Sequence, residues 1–174
     1  MSQPIDQEGF WRTRLYRALA KRQPNLAMYW VNEGTWDRIQ DDHRIILASV
    51  LGQMERARLL DGGCGMGFLL DILDGLDVDY TGVDICRATL DYAIDHHSTG
   101  KFVRADLRKM PFESDSFDLV VLRSIEGEVL RELGSQYWAD IKREVARVCS
   151  GRVLLLNYTS WRSYKLLTKK EILL

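Results

Sequence analysis

A chain of 174 residues, 46% hydrophobic and 28% charged, holds enough apolar material for one core and is too short for two comfortable domains. Its formal net charge of −1 argues against a protein built mainly to hold polyanions such as nucleic acid, while leaving room for local basic patches. No apolar run approaches the roughly 20 residues that span a bilayer, the start MSQPIDQEG lacks the regions of a signal peptide, and Cys64, Cys86 and Cys149 are too few and too scattered for a metal site or a disulfide framework. The expectation is one cytoplasmic domain over 1–174, with reduced thiols, no metal and no membrane segment.

In chain order, residues 10–22, FWRTRLYRALAKR, carry five basic side chains and no acid, and form an amphipathic helical pattern that Pro24 ends. Two readings stand: a short helix over a ligand site with its basic face in water, or contact with an anionic substrate or nucleic acid. An aromatic connection follows, with Tyr29, Trp30 and Trp36 around Asn32-Glu33-Gly34. It suits a lid over a substrate, and equally filler between helices. A second helix is expected from Asp37, a plausible N-cap, to about Met54, with Ile39, Ile46, Val50 and Met54 inward. Residues 1–55 thus form a helical extension.

The central stretch is Leu59-Leu60-Asp61-Gly62-Gly63-Cys64-Gly65-Met66-Gly67. A buried strand is expected at 57–60, and Leu69, Ile72, Leu73 and Leu76 recur with the spacing of one helix face. Glycines at alternate positions allow backbone angles closed to other residues and let a ligand approach, while a helix start offers unpaired N–H donors. The dinucleotide fingerprint GxGxxG fits poorly, because Phe68 stands where its third glycine should be.

Strand and helix then alternate, as in a parallel sheet with crossover helices. The second strand is Asp79-Tyr80-Thr81-Gly82-Val83, with Asp84 at its carboxyl end, seventeen residues past Gly67. That is near the roughly 20 at which a doubly wound fold sets an acid against ribose hydroxyls. A helix with Cys86, Leu90, Ala93 and Ile94 on one face leads to a third strand, Lys101 to Arg104, and to Asp106 and Leu107. The fourth strand is Phe117 to Leu122, a helix runs from about Ser135 to Cys149 with Trp138, Ile141, Val145 and Val148 inward, and the fifth strand is Arg152 to Leu156.

The stretch LLDGGCGMG resembles the first motif of class I S-adenosylmethionine (SAM) dependent methyltransferases, and ADLRKMPFESDSFDLVV resembles the segment that closes strand three and opens strand four in the same family. The resemblance covers roughly 57–157. It implies an α/β fold: a Rossmann-like doubly wound sheet of about five parallel strands, with a core over 56–160 and the N-terminal extension added. Asp61 would hold the amino group of the cofactor's methionine part, and Gly62, Gly63, Gly65 and Gly67 would let the chain pass close to it. Asp84 would take the ribose hydroxyls and Asp106 the adenine amino group, while Met66, Ile85 and Leu107 would offer apolar surface. A cationic cofactor would meet carboxylates.

The resemblance also implies methyl transfer to a small-molecule acceptor. The acceptor would lie between the aromatic connection and the end of strand four, with Tyr29, Trp30, Trp36 and Ser124 as contacts and Glu126 and Arg123 as catalytic candidates. Glu126 stands where many family members have histidine; it could act as base or pair with Arg123, three residues away. Two alternatives remain open: a silent SAM-fold scaffold subunit, and a SAM-fold enzyme of other chemistry such as aminopropyl transfer. The family's C-terminal hairpin is expected to be missing, with 161–174 a truncated helix. Strand five would then have an open edge, which a second copy could cover.

Overall fold

The structure is a computed structural model that describes Asp6, Glu8, Gly9, Arg12, Thr13, 33–157 and 164–174. The helix expected at 10–22 lies mostly outside these residues, and Tyr29 and Trp30 wholly so. Helix α1 spans Glu33–Leu51, followed by strand β1 (Ala57–Gly62), a 3-10 turn (Leu70–Ile72) and β2 (Val78–Asp84). Then come α2 (Arg87–His96), β3 (Lys101–Arg104), β4 (Phe117–Arg123), α3 (Ile125–Glu132), α4 (Ser135–Val148), β5 (Cys149–Leu156), β6 (Tyr164–Thr168) and a last 3-10 turn (Glu171–Leu173).

The strands form one sheet in the order β3-β2-β1-β4-β5-β6. The first five are parallel, as expected, and β6 runs antiparallel to β5. This is the Rossmann-like arrangement. Its strand order reverses between β1 and β4, and open sheets of this kind bind ligands in the crevice at such a point, beyond the carboxyl ends of the strands. Asp61 and the glycine turn leave one side of that crevice, Arg123 and Ser124 the other.

Both faces of the central strands are covered, which is why the middles of β1 (Leu59 and Leu60) and β4 (Leu119 to Leu122) are unbroken apolar runs instead of alternating ones. Ala57, Leu59, Leu119, Val121, Leu154 and Leu156 pack against α1 through Leu47 and Leu51. Leu60, Val120, Leu122, Val153 and Leu155 pack against α4 through Trp138, Ile141, Val145 and Val148. Removing a side chain such as Leu59, wholly buried, would cost about 2 to 5 kcal/mol.

Four expectations need correction. Helix α1 begins at Glu33, not Asp37, and its inner stripe is Trp36, Ile39, His43, Leu47 and Leu51; Ile46, Val50 and Met54 are only partly buried.

The helix expected after Gly67 is a single 3-10 turn. Gly75 turns the chain at φ 77°, and a run that short cannot repay helix nucleation. Leu69, Ile72 and Leu73 are nonetheless buried, because over eight residues a helix face and a chain of tight turns share the same apolar spacing. Helix α1 grips this segment: Gln40 Nε2 donates to the Phe68 carbonyl at 3.5 Å, and Arg44 donates to the Asp74 carbonyl at 3.0 Å.

Ile94 is 53% exposed, since the inward stripe of α2 runs through Thr89, Leu90 and Ala93.

The tail forms β6 and a 3-10 turn where a truncated helix was expected. Adjacent Leu166 and Leu167 go to opposite faces, one to each core, as strand geometry requires. Ile172, 2% exposed, seals the α4 side, and Glu171 accepts the Thr168 N–H at 2.7 Å. The edge of β5 is therefore paired within the chain and needs no second copy. Among the described residues no helix is long and apolar enough to cross a membrane, and no group of metal-ligating side chains assembles.

Candidate functional site

The turn after β1 is built on glycines with left-handed backbones: Gly63 at φ 73°, Gly65 at φ 54° and Gly67 at φ 81°. The N–H groups of Gly63 and Cys64 both donate to the Val83 carbonyl, at 2.7 and 2.9 Å, which ties the start of the turn to β2. Space is as restrictive as angle. A Cβ on Gly63 would lie 2.4 Å from Ile125 Cδ1, and one on Gly67 2.8 Å from the His97 ring. His97, which periodicity did not single out, backs the turn, with Nε2 3.2 Å from the Met66 carbonyl. Met66 itself is fully buried, so it offers no open apolar surface. Leu107 does approach the turn, with methyl groups 3.4 Å and 3.8 Å from where Cβ atoms on Gly62 and Gly63 would sit.

Asp84, at the end of β2, is half-buried and fastens the turn. Its Oδ2 accepts the Gly65 N–H at 2.9 Å, and its Oδ1 accepts the Cys86 N–H at 2.8 Å. Burial raises its pKa above the ordinary carboxylate value, and these backbone bonds only partly oppose the rise. Oδ1 also accepts the Thr89 hydroxyl at 3.5 Å, so it is Oδ2 that keeps a further lone pair for an incoming hydroxyl. Ile85 follows, half-buried, and its carbonyl accepts Arg104 Nε at 3.2 Å. The same Arg104 pairs with Glu8 at 2.5 Å.

Asp61 is 2% exposed and accepts the Tyr80 hydroxyl at 2.8 Å. Burial pushes its pKa up to about 6, against the pull of Tyr80 and of the Arg123 charge, with Asp84 adding repulsion. Tyr80 was missed because its role appears only with the register: Leu59 pairs with Tyr80, which sets Tyr80 on the face that Asp61 shares.

Asp106 is the exception. Arg108 grips its carboxylate at 2.6 Å and through its own backbone N–H at 2.8 Å, while Tyr137 Oη lies 3.3 Å from both oxygens. Burial, the largest influence, raises the pKa, but Arg108 and Tyr137 outweigh it and leave the carboxyl below its usual range. Arg108 also lies 4.0 Å over the Tyr137 ring.

Across the crevice, Arg123 and Glu126 do not pair. Arg123 is 7% exposed and faces α1, with its guanidinium carbon 5.7 Å from the Trp36 ring. Beside it, His43 has a pKa lowered to about 3, first by burial, then by the Arg123 charge, against a hydrogen bond with the Asn157 backbone. Glu126 turns outward and pairs with Lys165 of β6 at 3.5 Å. Ser124 sits between them at φ 59°, a left-handed backbone that non-glycine residues seldom adopt, and its N–H is held by the Leu156 carbonyl at 2.7 Å. Trp36 is 6% exposed and packs edge-on against Phe68 at 5.7 Å, as core and not as an open lid.

Residues 60–155 match the family model described as "Methyltransferase domain". The chain belongs to the class I SAM-dependent methyltransferase family. Among the relatives of this chain is the biotin biosynthesis bifunctional protein BioHC of Cellvibrio japonicus, 31% identical over 91 residues, which are 49% of this chain. The match spans only 18% of that protein's length. Among solved structures, the PH0226 protein of Pyrococcus horikoshii is 25% identical over 71% of this chain and 58% of its own, with a TM-score of 0.59. A Methanococcus maripaludis protein assigned as a SAM-dependent methyltransferase shares the fold over 90% of this chain and 67% of its own, with a TM-score of 0.62 at 14% identity. The donor set suits the family's cofactor at two of three carboxylates. Asp61 and Asp84 stand at the ends of adjacent strands beside a turn cleared of Cβ atoms, whereas Asp106 is already engaged.

Proposed function

We propose that the protein transfers a methyl group from SAM to a small-molecule acceptor. The observation that carries this is the placement of Asp61 and Asp84 at the ends of adjacent strands beside the glycine turn, next to the point where the strand order reverses. Both carboxyls are held by hydrogen bonds in places where burial works against their charge, an expense that a cationic ligand would offset. In this reading Asp61 takes the ammonium group, Asp84 the ribose hydroxyls, and Gly62, Gly63, Gly65 and Gly67 the close approach. Ile85 and Leu107 flank the adenine. For Asp106 to accept the adenine amino group, Arg108 would have to give way.

The bound cofactor supplies a methyl group already activated by its sulfonium, so the chain's residues contribute chiefly alignment. Ser124 and the start of α3 border the methyl side of the crevice and are the proposed acceptor contacts. Because Glu126 is engaged with Lys165, a tether is the better supported role for it than a base. A relative named for biotin biosynthesis, matched over 18% of its length, is in keeping with a role in small-molecule metabolism.

Calorimetric titration with SAM and S-adenosylhomocysteine, followed by a turnover screen over small carboxylic acids, amines, thiols and phenols, tests the reading. Micromolar binding with methyl transfer to one class is the expected result. Binding without turnover on any acceptor would favour a scaffold subunit, and no binding would remove the proposal.

A further inference from the structure

The glycine turn is fastened from two directions. From β2, Asp84 accepts the Gly65 N–H at 2.9 Å. From α2, His97 brings Nε2 to 3.2 Å from the Met66 carbonyl. A carbonyl can only accept, so in this bond Nε2 carries the proton, and Nδ1 faces Asp71 Oδ1 of the 3-10 turn at 3.8 Å. His97 is itself firmly seated. It caps the end of α2, with its N–H on the Ala93 carbonyl at 3.0 Å. Its side chain is 11% exposed, and its ring lies 6.2 Å from that of Phe102 on β3. The close approach depends on Gly67, where a Cβ would stand 2.8 Å from the ring.

A trans peptide points its N–H away from its C=O. Holding the Met66 carbonyl therefore aims the Gly67 N–H the other way, where the Cys64 carbonyl accepts it at 3.0 Å and closes the turn. Gly67, at φ 81°, has no side chain to resist a flip of that peptide. The resistance comes from these two bonds, and His97 supplies the one anchored outside the turn.

We propose that His97 is a positioning residue for the cofactor: without touching the ligand, it holds the Met66–Gly67 peptide in the orientation that receives it. The inference rests on the SAM reading above and deepens it, assigning the rigidity of the glycine turn to a side chain thirty-one residues away. With the donor gone, the peptide samples both orientations and binding has to select one of them. Affinity then falls although every ligand contact is still available.

Calorimetric titration with SAM, on the full chain and two variants that circular dichroism shows to be folded, tests this. His97→Phe keeps a ring against Gly67 and Phe102 but has no donor, and should bind SAM about tenfold more weakly, the worth of one hydrogen bond. His97→Gln sets an amide N–H near the place of Nε2 and should return affinity to within about threefold of wild type, although it gives up the ring packing. A merely structural residue would show the reverse, tolerating Phe and suffering from Gln. NMR of the wild-type imidazole at about pH 8 needs no variant and decides alone if His97→Phe does not fold: the proton should sit on Nε2. A proton on Nδ1, affinity unchanged by His97→Phe, or no recovery in folded His97→Gln would each overturn the proposal. Absence of SAM binding by wild type would instead overturn the SAM reading itself.

Discussion

The Tyr80 hydroxyl donates to the Asp61 carboxylate at 2.8 Å where that carboxylate is almost sealed from water. The bond joins β1 to β2 just below the glycine turn, and it holds a carboxyl whose pKa burial has lifted to about 6. Stability should record this. The folded state holds the proton up to about pH 6 and the unfolded chain only to about 4, so the contribution is fully present below about pH 4 and is lost as pH rises to 6. Asp61→Asn removes that slope and should stabilise the ligand-free protein at pH 7.5 by on the order of 2 to 3 kcal/mol. Urea unfolding at pH 4.5 and 7.5 measures it. A variant less stable than wild type at pH 7.5 would contradict the assignment.

The same carboxyl makes cofactor binding proton-linked. If its ionised form takes an ammonium, SAM affinity should be level above about pH 6 and fall by up to tenfold for each unit below. Titrations from pH 5 to 8, in buffers of differing ionisation enthalpy, would also show proton release on binding near pH 6. Flat affinity across that range would mean that Asp61 does not touch the amino group.

Asp84 carries two tasks that substitution can separate. Asp84→Ala strands the Gly65 and Cys86 N–H groups, which should cost about 1 to 3 kcal/mol of stability and at least tenfold in SAM affinity. Asp84→Asn keeps an acceptor oxygen for one of the two backbone donors and should recover part of the stability but little of the affinity. Recovery of both in parallel would make Asp84 a fastener of the turn and nothing more.

Gly63→Ala meets a double obstacle, a φ of 73° and a Cβ 2.4 Å from Ile125 Cδ1. It should cost about 1 to 2 kcal/mol and abolish measurable SAM binding. Adding Ile125→Ala should restore some stability by making room while leaving the backbone strain. Thermal melts of the single and double variants give the two parts.

For Glu126→Gln the expected outcome is modest: cofactor affinity unchanged, stability within about 0.5 kcal/mol because the Lys165 pair is solvent-exposed, and turnover near wild type. A fall of about a hundredfold, the low end for a lost general base, would restore Glu126 as catalytic.

Much of this was legible in the sequence because the central strands are short apolar runs bounded by glycine or aspartate, a pattern with one sensible reading. Asp61, Asp84 and the glycines fell out of motif spacing for the same reason. Tyr80, His97 and Arg108 did not, since each acts on a residue distant in sequence whose nearness only strand register or loop packing creates. The segment after Gly67 misled because leucines spaced three and four apart satisfy a helix and a string of turns alike. The tail misled in the opposite direction: Leu166-Leu167 has no alternation of polarity, and only a strand with both faces covered accepts two adjacent leucines.

The contraction of the segment after Gly67 to one 3-10 turn shifts the wall of the cofactor crevice onto α1. Leu47 and Leu51 cover the sheet there, and Gln40 and Arg44 pin the turn from above. Helix α1 is thus no detachable appendage. A fragment designed to begin at residue 56, the first position of the motif-bearing region, would lay bare one whole flank of the sheet and should come out of expression as aggregate, while fragments that retain Glu33–Leu51 keep that flank dry.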